Sequence, residues 1–278
     1  MKNSVKNFLL PVLLILIIAG ASSAQSIGLA PAQIVADFKP GVPFEQELSV
    51  ANNGSEAVEL HVQITDLWYN DKNEKVFTAP GTSPRSAANW IQFVPEKFEV
   101  VPGASQKMKA IITPPVDARG GYYAVLFVES KPVATNKETA DGKRVFTNMR
   151  IGCLVMLTAR NSEAYNVNLN DLKLVPPSAN QGLKLTFSVD NESNTHIFPL
   201  ARLAILSPQH KLVGKAESEM KRFLPGQKDT MGVNWDGDLN SGDYTAVLSL
   251  VYGSHVETRQ IAFTVPEKVV NGTTTASK

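Results

Sequence analysis

PFEQELSVANNGSEAVELHVQITDLWY, residues 43–69, decides the fold. Phe44, Leu48 and Val50 share one face of its first half, and Val58, Leu60, Val62 and Ile64 alternate strictly with polar residues in its second half. A period of two sends successive side chains to opposite faces of an extended chain, so both halves read as half-buried β-strands. The Asn52-Asn53-Gly54 step between them carries turn chemistry, and the spacing predicts a β-hairpin.

The same pattern continues outward. Residues 70–89 are polar, hold Pro80 and Pro84, and read as a long loop with a short strand near Val76 and Phe77. Residues 97–115 turn at Pro102-Gly103 and then place Met108, Ala110 and Ile112 on one face; GGYYAVLFVES, residues 120–130, is a further strand. RVFTNMRIGCLVMLTAR, residues 144–160, is expected to be the longest strand. Met149, Ile151, Cys153, Val155 and Leu157 lie on one of its faces, and Asn148, Arg150, Gly152, Leu154 and Met156 on the other. Alternation then restarts in strands near 167–175, 183–190, 197–206, 211–220, 231–235, 244–252 and 258–265. No long segment has helical period. The reading is all-β: two immunoglobulin-like β-sandwich domains, residues 25–160 and 161–267, followed by a mobile tail at 268–278. The domains are expected to share architecture without repeating each other's sequence.

Residues 1–24 read as a cleaved signal peptide. Lys2 and Lys6 precede an apolar run from Phe8 to Ile18, and Ser22 and Ala24 stand at −3 and −1 of the expected cut. That run is shorter than the ~20 apolar residues that cross a bilayer, so export without membrane insertion is expected. Lys and Arg number 27 and Asp and Glu 26, with no sustained block of either sign, which leaves no electrostatic footprint for nucleic acid or a polybasic membrane contact. Cys153 is the sole cysteine, so no internal disulfide forms and apolar burial must supply stability. On an apolar face it reads as a buried, unreactive thiol.

Nothing in the sequence has the spacing of a catalytic or metal centre. His61, His196, His210 and His255 are far apart and form no metal-ligand motif. Asp236, Asp238 and Asn240 resemble the start of a calcium loop, but Ser241 and Val247 occupy its sixth and twelfth positions, which favours a hairpin loop. No cofactor, no metal and no enzymatic activity are expected. Trp68, Trp90 and Trp235 read either as core plugs or as a sugar platform. The row from Met149 to Leu157 also has two readings: the core side of its own sheet, or an edge presented to a partner.

Several segments together resemble the N-terminal domain of the periplasmic pilus-assembly chaperones, the PapD-like family: IGLAPAQIVADF (27–38), LSVANNGSEAVELHVQI (48–64), FVPEKFEVVPGASQKMKAII (93–112), GGYYAVLFVE (120–129) and TNMRIGCLVMLTA (147–159). A second resemblance, to the two-domain extracellular proteins that accompany WxL surface proteins, rests on Asn89, Trp90, Phe93, Pro102, Gly103, Gly120, Gly121, Tyr122 and Tyr123. In the second domain it rests on DNESNTHIFPLARLAIL (190–206), Leu224-Pro225-Gly226 and SGDYTAVLSLVYG (241–253).

The first resemblance implies a periplasmic chaperone or adaptor whose client is a pilin-like or other β-sandwich subunit of the envelope or surface. Such a client would be held by donor-strand pairing along Met149, Ile151, Cys153, Val155 and Leu157. It also implies a carboxylate anchor of one basic residue on the last strand and one on the first; Arg150 and Gln33 occupy the matching positions, and Gln33 carries no charge. The second resemblance implies an extracellular or cell-wall-associated protein that binds peptidoglycan or another glycan.

Overall fold

The structure is a computed structural model that describes residues 26–138, 141–142, 144–178 and 181–266. The expected signal peptide and the expected mobile tail lie outside the described residues.

The first lobe is built from β1 (Ile27–Ala30), β2 (Gln33–Phe38), β3 (Phe44–Asn52), β4 (Val58–Tyr69), β5 (Lys75–Thr78), β6 (Ile91–Val94), β7 (Lys97–Val100), β8 (Ser105–Ile112), β9 (Gly120–Ser130), β10 (Val133–Glu138), β11 (Arg144–Thr147) and β12 (Arg150–Ala159). One sheet has the order β1-β3-β8-β6; the other has β2-β12-β9-β4-β5, with β7 also paired to β4. Leu48, Val50, Met108 and Ile112 from the first sheet meet Leu60, Leu126, Val128, Val155 and Leu157 from the second, all buried. Each large aliphatic side chain so sealed stabilises the lobe by about 2 kcal/mol.

The second lobe contains β13 (Val167–Val175), β14 (Leu183–Asn191), β15 (Leu200–Leu206), β16 (Leu212–Glu217), β17 (Lys228–Trp235), β18 (Gly242–Tyr252) and β19 (His255–Val265). Its sheets β13-β14-β17 and β16-β15-β18-β19 enclose Leu185, Phe187, Leu203, Phe223 and Leu248. Two β-sandwiches of immunoglobulin type are thus present. No helix among the described residues is long and apolar enough to cross a membrane.

Three expectations need correction. The two halves of residues 43–69 are strands, but they do not form a hairpin. β3 pairs with β1 and β8, whereas β4 pairs with β9, β5 and β7 in the opposite sheet. Alternation is identical in a hairpin and in two strands facing each other across a core, so periodicity could not separate them. The buried Asn52 side chain decides between them: it donates to the carbonyls of Glu56 (2.7 Å) and Val100 (2.8 Å) and accepts from the Gly54 N–H (2.9 Å), carrying the chain across the sandwich.

The second correction concerns residues 144–160, which break at Asn148 and Met149 into β11 and β12. Among the described residues the longest strand is instead β4, with 12 residues.

The third concerns repetition. Ser49-Val50-Ala51-Asn52 recurs as Ser188-Val189-Asp190-Asn191, Pro102-Gly103 as Pro225-Gly226, and Ala124-Val125-Leu126 as Ala246-Val247-Leu248. The hydrogen bonds recur with the residues. Asn191 donates to the carbonyls of Thr195 and Phe223 (both 3.1 Å) and accepts from the Ser193 N–H (3.1 Å). The Gly103 and Gly226 amides donate to the carbonyls of Asn52 (2.9 Å) and Asn191 (2.7 Å) respectively. One corner is built twice.

The lobes are joined through a close backbone approach. The Gly121 amide donates to the Asn194 carbonyl at 2.8 Å, the Gly120 amide to Ser162 Oγ at 2.9 Å, and Asn194 Nδ2 to the Ser162 carbonyl at 2.8 Å. Gly120 has φ +71°, and a Cβ there would stand 2.5 Å from the Asn194 oxygen. A side chain at this position is disfavoured both by the left-handed backbone and by lack of space. Gly120→Ala is expected to weaken lobe docking by about 1–3 kcal/mol. Limited proteolysis of residues 160–166 checks this: cleavage no faster than in the parent protein would contradict it.

Candidate functional site

β12 is the strand on which the sequence placed its candidate site. Its parity is as expected, with Cys153, Val155 and Leu157 on one face and Leu154 and Met156 on the other. The first set, however, points into its own lobe: Cys153, Val155 and Leu157 are at most 1% exposed within the sandwich core, and Met149 and Ile151 pack half-buried against that core. β12 is flanked by β9 along its whole length and by β2 from Leu154 to Ala159. Cys153, Val155 and Leu157 therefore cannot be offered to a client; filling the lobe interior is what gives them their apolar character. Burial pushes the Cys153 thiol up to about 11, which removes thiolate chemistry at neutral pH.

The proposed carboxylate anchor is not assembled either. Gln33 stands opposite Leu154, four residues along from Arg150, or ~13 Å on an extended chain. Arg150 is already committed: its Nε ion-pairs with Glu129, whose other oxygen lies 3.5 Å from His61, and its guanidinium lies 3.5 Å from the centre of the Phe127 ring. Gly152 makes room for that ring, since a Cβ there would come within 2.9 Å of it.

What remains open is a margin of backbone. β1 belongs to the opposite sheet, and the chain joins β12 only at Gln33, after a cis Ala30–Pro31 peptide. Leu154 N–H donates toward Ala32, so by strand alternation the backbone groups of Gly152 and Arg150 point to the same, unpaired side. Upstream, β11 pairs with β10 alone. Among the described residues, then, β11 and the Arg150–Cys153 part of β12 each have a strand partner on one side only, β10 and β9 respectively. Phe146 stands beside this margin with 63% of its surface exposed.

The sequence reading missed the contact between the lobes. The outer face of the β2-β12-β9-β4-β5 sheet is also apolar: Leu67, Tyr123, Val125 and Met156 form a buried cluster with Leu224 of the second lobe, with Phe198 half-buried against it. Beside it, Tyr123 Oη lies 3.3 Å from His196 Nδ1. Burial drives the His196 imidazole down to about 4 and raises the Tyr123 phenol well above its usual range. The unbroken apolar run from Leu154 to Leu157 was the available signal, because a strand apolar on both faces is covered on both.

No family model matches the chain, and no curated protein sequence matches it. Its structure is similar to that of the class 5 fimbriae chaperone CfaA, at 14% identity and a TM-score of 0.45, over 87% of this chain and 100% of that one. It is also similar to a chain of the Salmonella enterica SafA pilin–SafB chaperone complex, at 12% identity and a TM-score of 0.42, over 87% and 99%. For the E. coli chaperone DraB the values are 12% identity and a TM-score of 0.40, over 86% and 98%. Each of these similarities covers most of the chain at low sequence identity.

Proposed function

We propose that the protein is an exported, non-enzymatic chaperone-like adaptor that binds an envelope or surface protein by accepting a client strand along the margin from Arg144 to Cys153. The observation that carries this reading is the open backbone of β11 and of Arg150 to Cys153 in β12, where the residues that follow in β12 are hydrogen-bonded on the same side to β2. Unpaired N–H and C=O groups on a regular strand are a template for a further strand. The apolar contribution comes from Phe146, and the buried row at Cys153, Val155 and Leu157 serves as the rigid backing of the strand.

Proline at Arg150 tests this directly. Proline is tolerated at the first residue of a strand when its missing N–H faces outward, so the fold is retained while one donor disappears from the margin. Arg150→Ala removes the same side chain and keeps that donor. Arg150→Pro is expected to lose at least about tenfold in client capture from an envelope fraction, relative to Arg150→Ala, at similar thermal stability. Equal capture by the two variants would remove this margin as the binding site.

A further inference from the structure

A recess of 640 Å³ lies between the lobes at the other end of the sheet. Tyr123 and Leu67 on its wall are six residues along β9 and β4 from Glu129 and His61, so it is ~20 Å from the margin beside Arg150. Leu67, Trp68, Tyr69 and Tyr123 line it from the first lobe, and Leu224 from the second. Trp68 is 44% exposed there and offers an aromatic face to the recess. The volume is in the range of small-molecule sites, and the walls are mainly apolar.

The recess contains one cation. Arg85 lies on the loop that leads from β5 toward β6, and its Nη1 donates to the Gly121 carbonyl at 3.2 Å. A guanidinium has five N–H donors, so most of its donor capacity is left over. No carboxylate stands within ion-pair distance of Arg85 among the described residues. The acid under the same loop is Asp66, fully buried and fixed otherwise: it accepts from Thr82 Oγ1 (3.3 Å), the Ser83 N–H (2.7 Å) and Ser86 Oγ (2.5 Å). These bonds hold the loop, and hence Arg85, in place from beneath.

We propose that this recess binds a small amphipathic carboxylate, its apolar body against Leu67, Trp68 and Leu224 and its carboxylate on Arg85. A planar fork of donors suits a carboxylate, and one guanidinium balances a single negative charge better than the double charge of a phosphate. The carboxylate could be supplied by a free acid or by the end of a peptide chain; the chemistry at Arg85 is the same.

The test is calorimetric titration of the full-length protein with 4-phenylbutanoate and with the neutral 4-phenylbutanamide, and in parallel with a hexapeptide ending in phenylalanine as its free acid and as its amide. The acid of at least one pair is expected to bind about tenfold or more tightly than its amide, with a change in tryptophan emission that Trp68→Phe abolishes. The pair that shows the preference identifies the source of the carboxylate. Arg85→Gln is expected to erase the preference, and Arg150→Pro to leave it unchanged. Equal binding of acid and amide in both pairs, or no saturable binding at millimolar ligand, overturns the proposal, and this comparison needs no variant to fold.

Discussion

Asn191→Ala is expected to destabilise the second lobe by about 3–5 kcal/mol, and Asn52→Ala to do the same to the first. Each side chain is fully buried and makes three hydrogen bonds to backbone groups, which alanine would leave without partners in the interior. An unpaired buried backbone group costs about 1–3 kcal/mol, so the loss far exceeds that of the missing volume. Aspartate separates the two causes. It keeps the shape but presents a second oxygen to two carbonyls, so Asn191→Asp is expected to be at least as damaging as Asn191→Ala.

Tryptophan fluorescence during urea unfolding can assign the damage to a lobe. Trp90 sits in the first core, 4.3 Å from Tyr122 and 6.0 Å from Phe38 between ring centres, while Trp235 packs in the second. The Asn52 variant should shift the transition seen by Trp90 and the Asn191 variant that seen by Trp235. A loss below about 1 kcal/mol in either would mean that the corner is held by the strands rather than by the asparagine.

The second large effect is on acid stability. His196 is held between the lobes by burial, with Tyr123 on its Nδ1 and Phe198 against its ring; Asp37 opposes the depression and Arg222 adds to it. Glu163 lines the same recess. The folded protein keeps this imidazole neutral down to about pH 4, whereas the unfolded chain protonates it near 6.5. The unfolded state therefore binds more protons between those values. The stability from neutral His196 is complete above pH 6.5 and is lost as the pH falls toward 4, a total of about 3 kcal/mol. His196→Gln is expected to flatten that part of the stability curve, read as the difference from the parent protein at each pH so that carboxylates titrating in the same range cancel. Parallel curves would place His196 in a more solvated setting than the one described.

Much of this architecture was legible in the chain. Strict alternation at Val58–Ile64 and at Met108–Ile112 identifies strands and their inward faces, because one face of a sandwich sheet must be apolar. Strand pairing was not legible. β3 and β4 could have met edge to edge or faced each other across the core with the same pattern, and the outcome depends on where the Asn52 amide finds its acceptors, one of them 48 residues away at Val100. The repeated corner was hidden for a related reason: Asn52 and Gly103, like Asn191 and Gly226, are short pieces brought together only by folding.

The candidate site divides in the same way. Apolar periodicity on β12 identified its apolar face but could not distinguish a row that fills its own lobe from one that awaits a partner, since both minimise exposed apolar area by the same side chains. By itself the sequence determined the all-β character, the pair of sandwiches and the inward faces of the strands, since these follow from side-chain alternation along a local stretch. Only the tertiary structure decided that Cys153, Val155 and Leu157 are interior and that, among the described residues, β11 and the start of β12 are open on one side and Arg85 faces a recess with no carboxylate within ion-pair distance. Those properties belong to neighbours distant in the chain, and no local pattern encodes them.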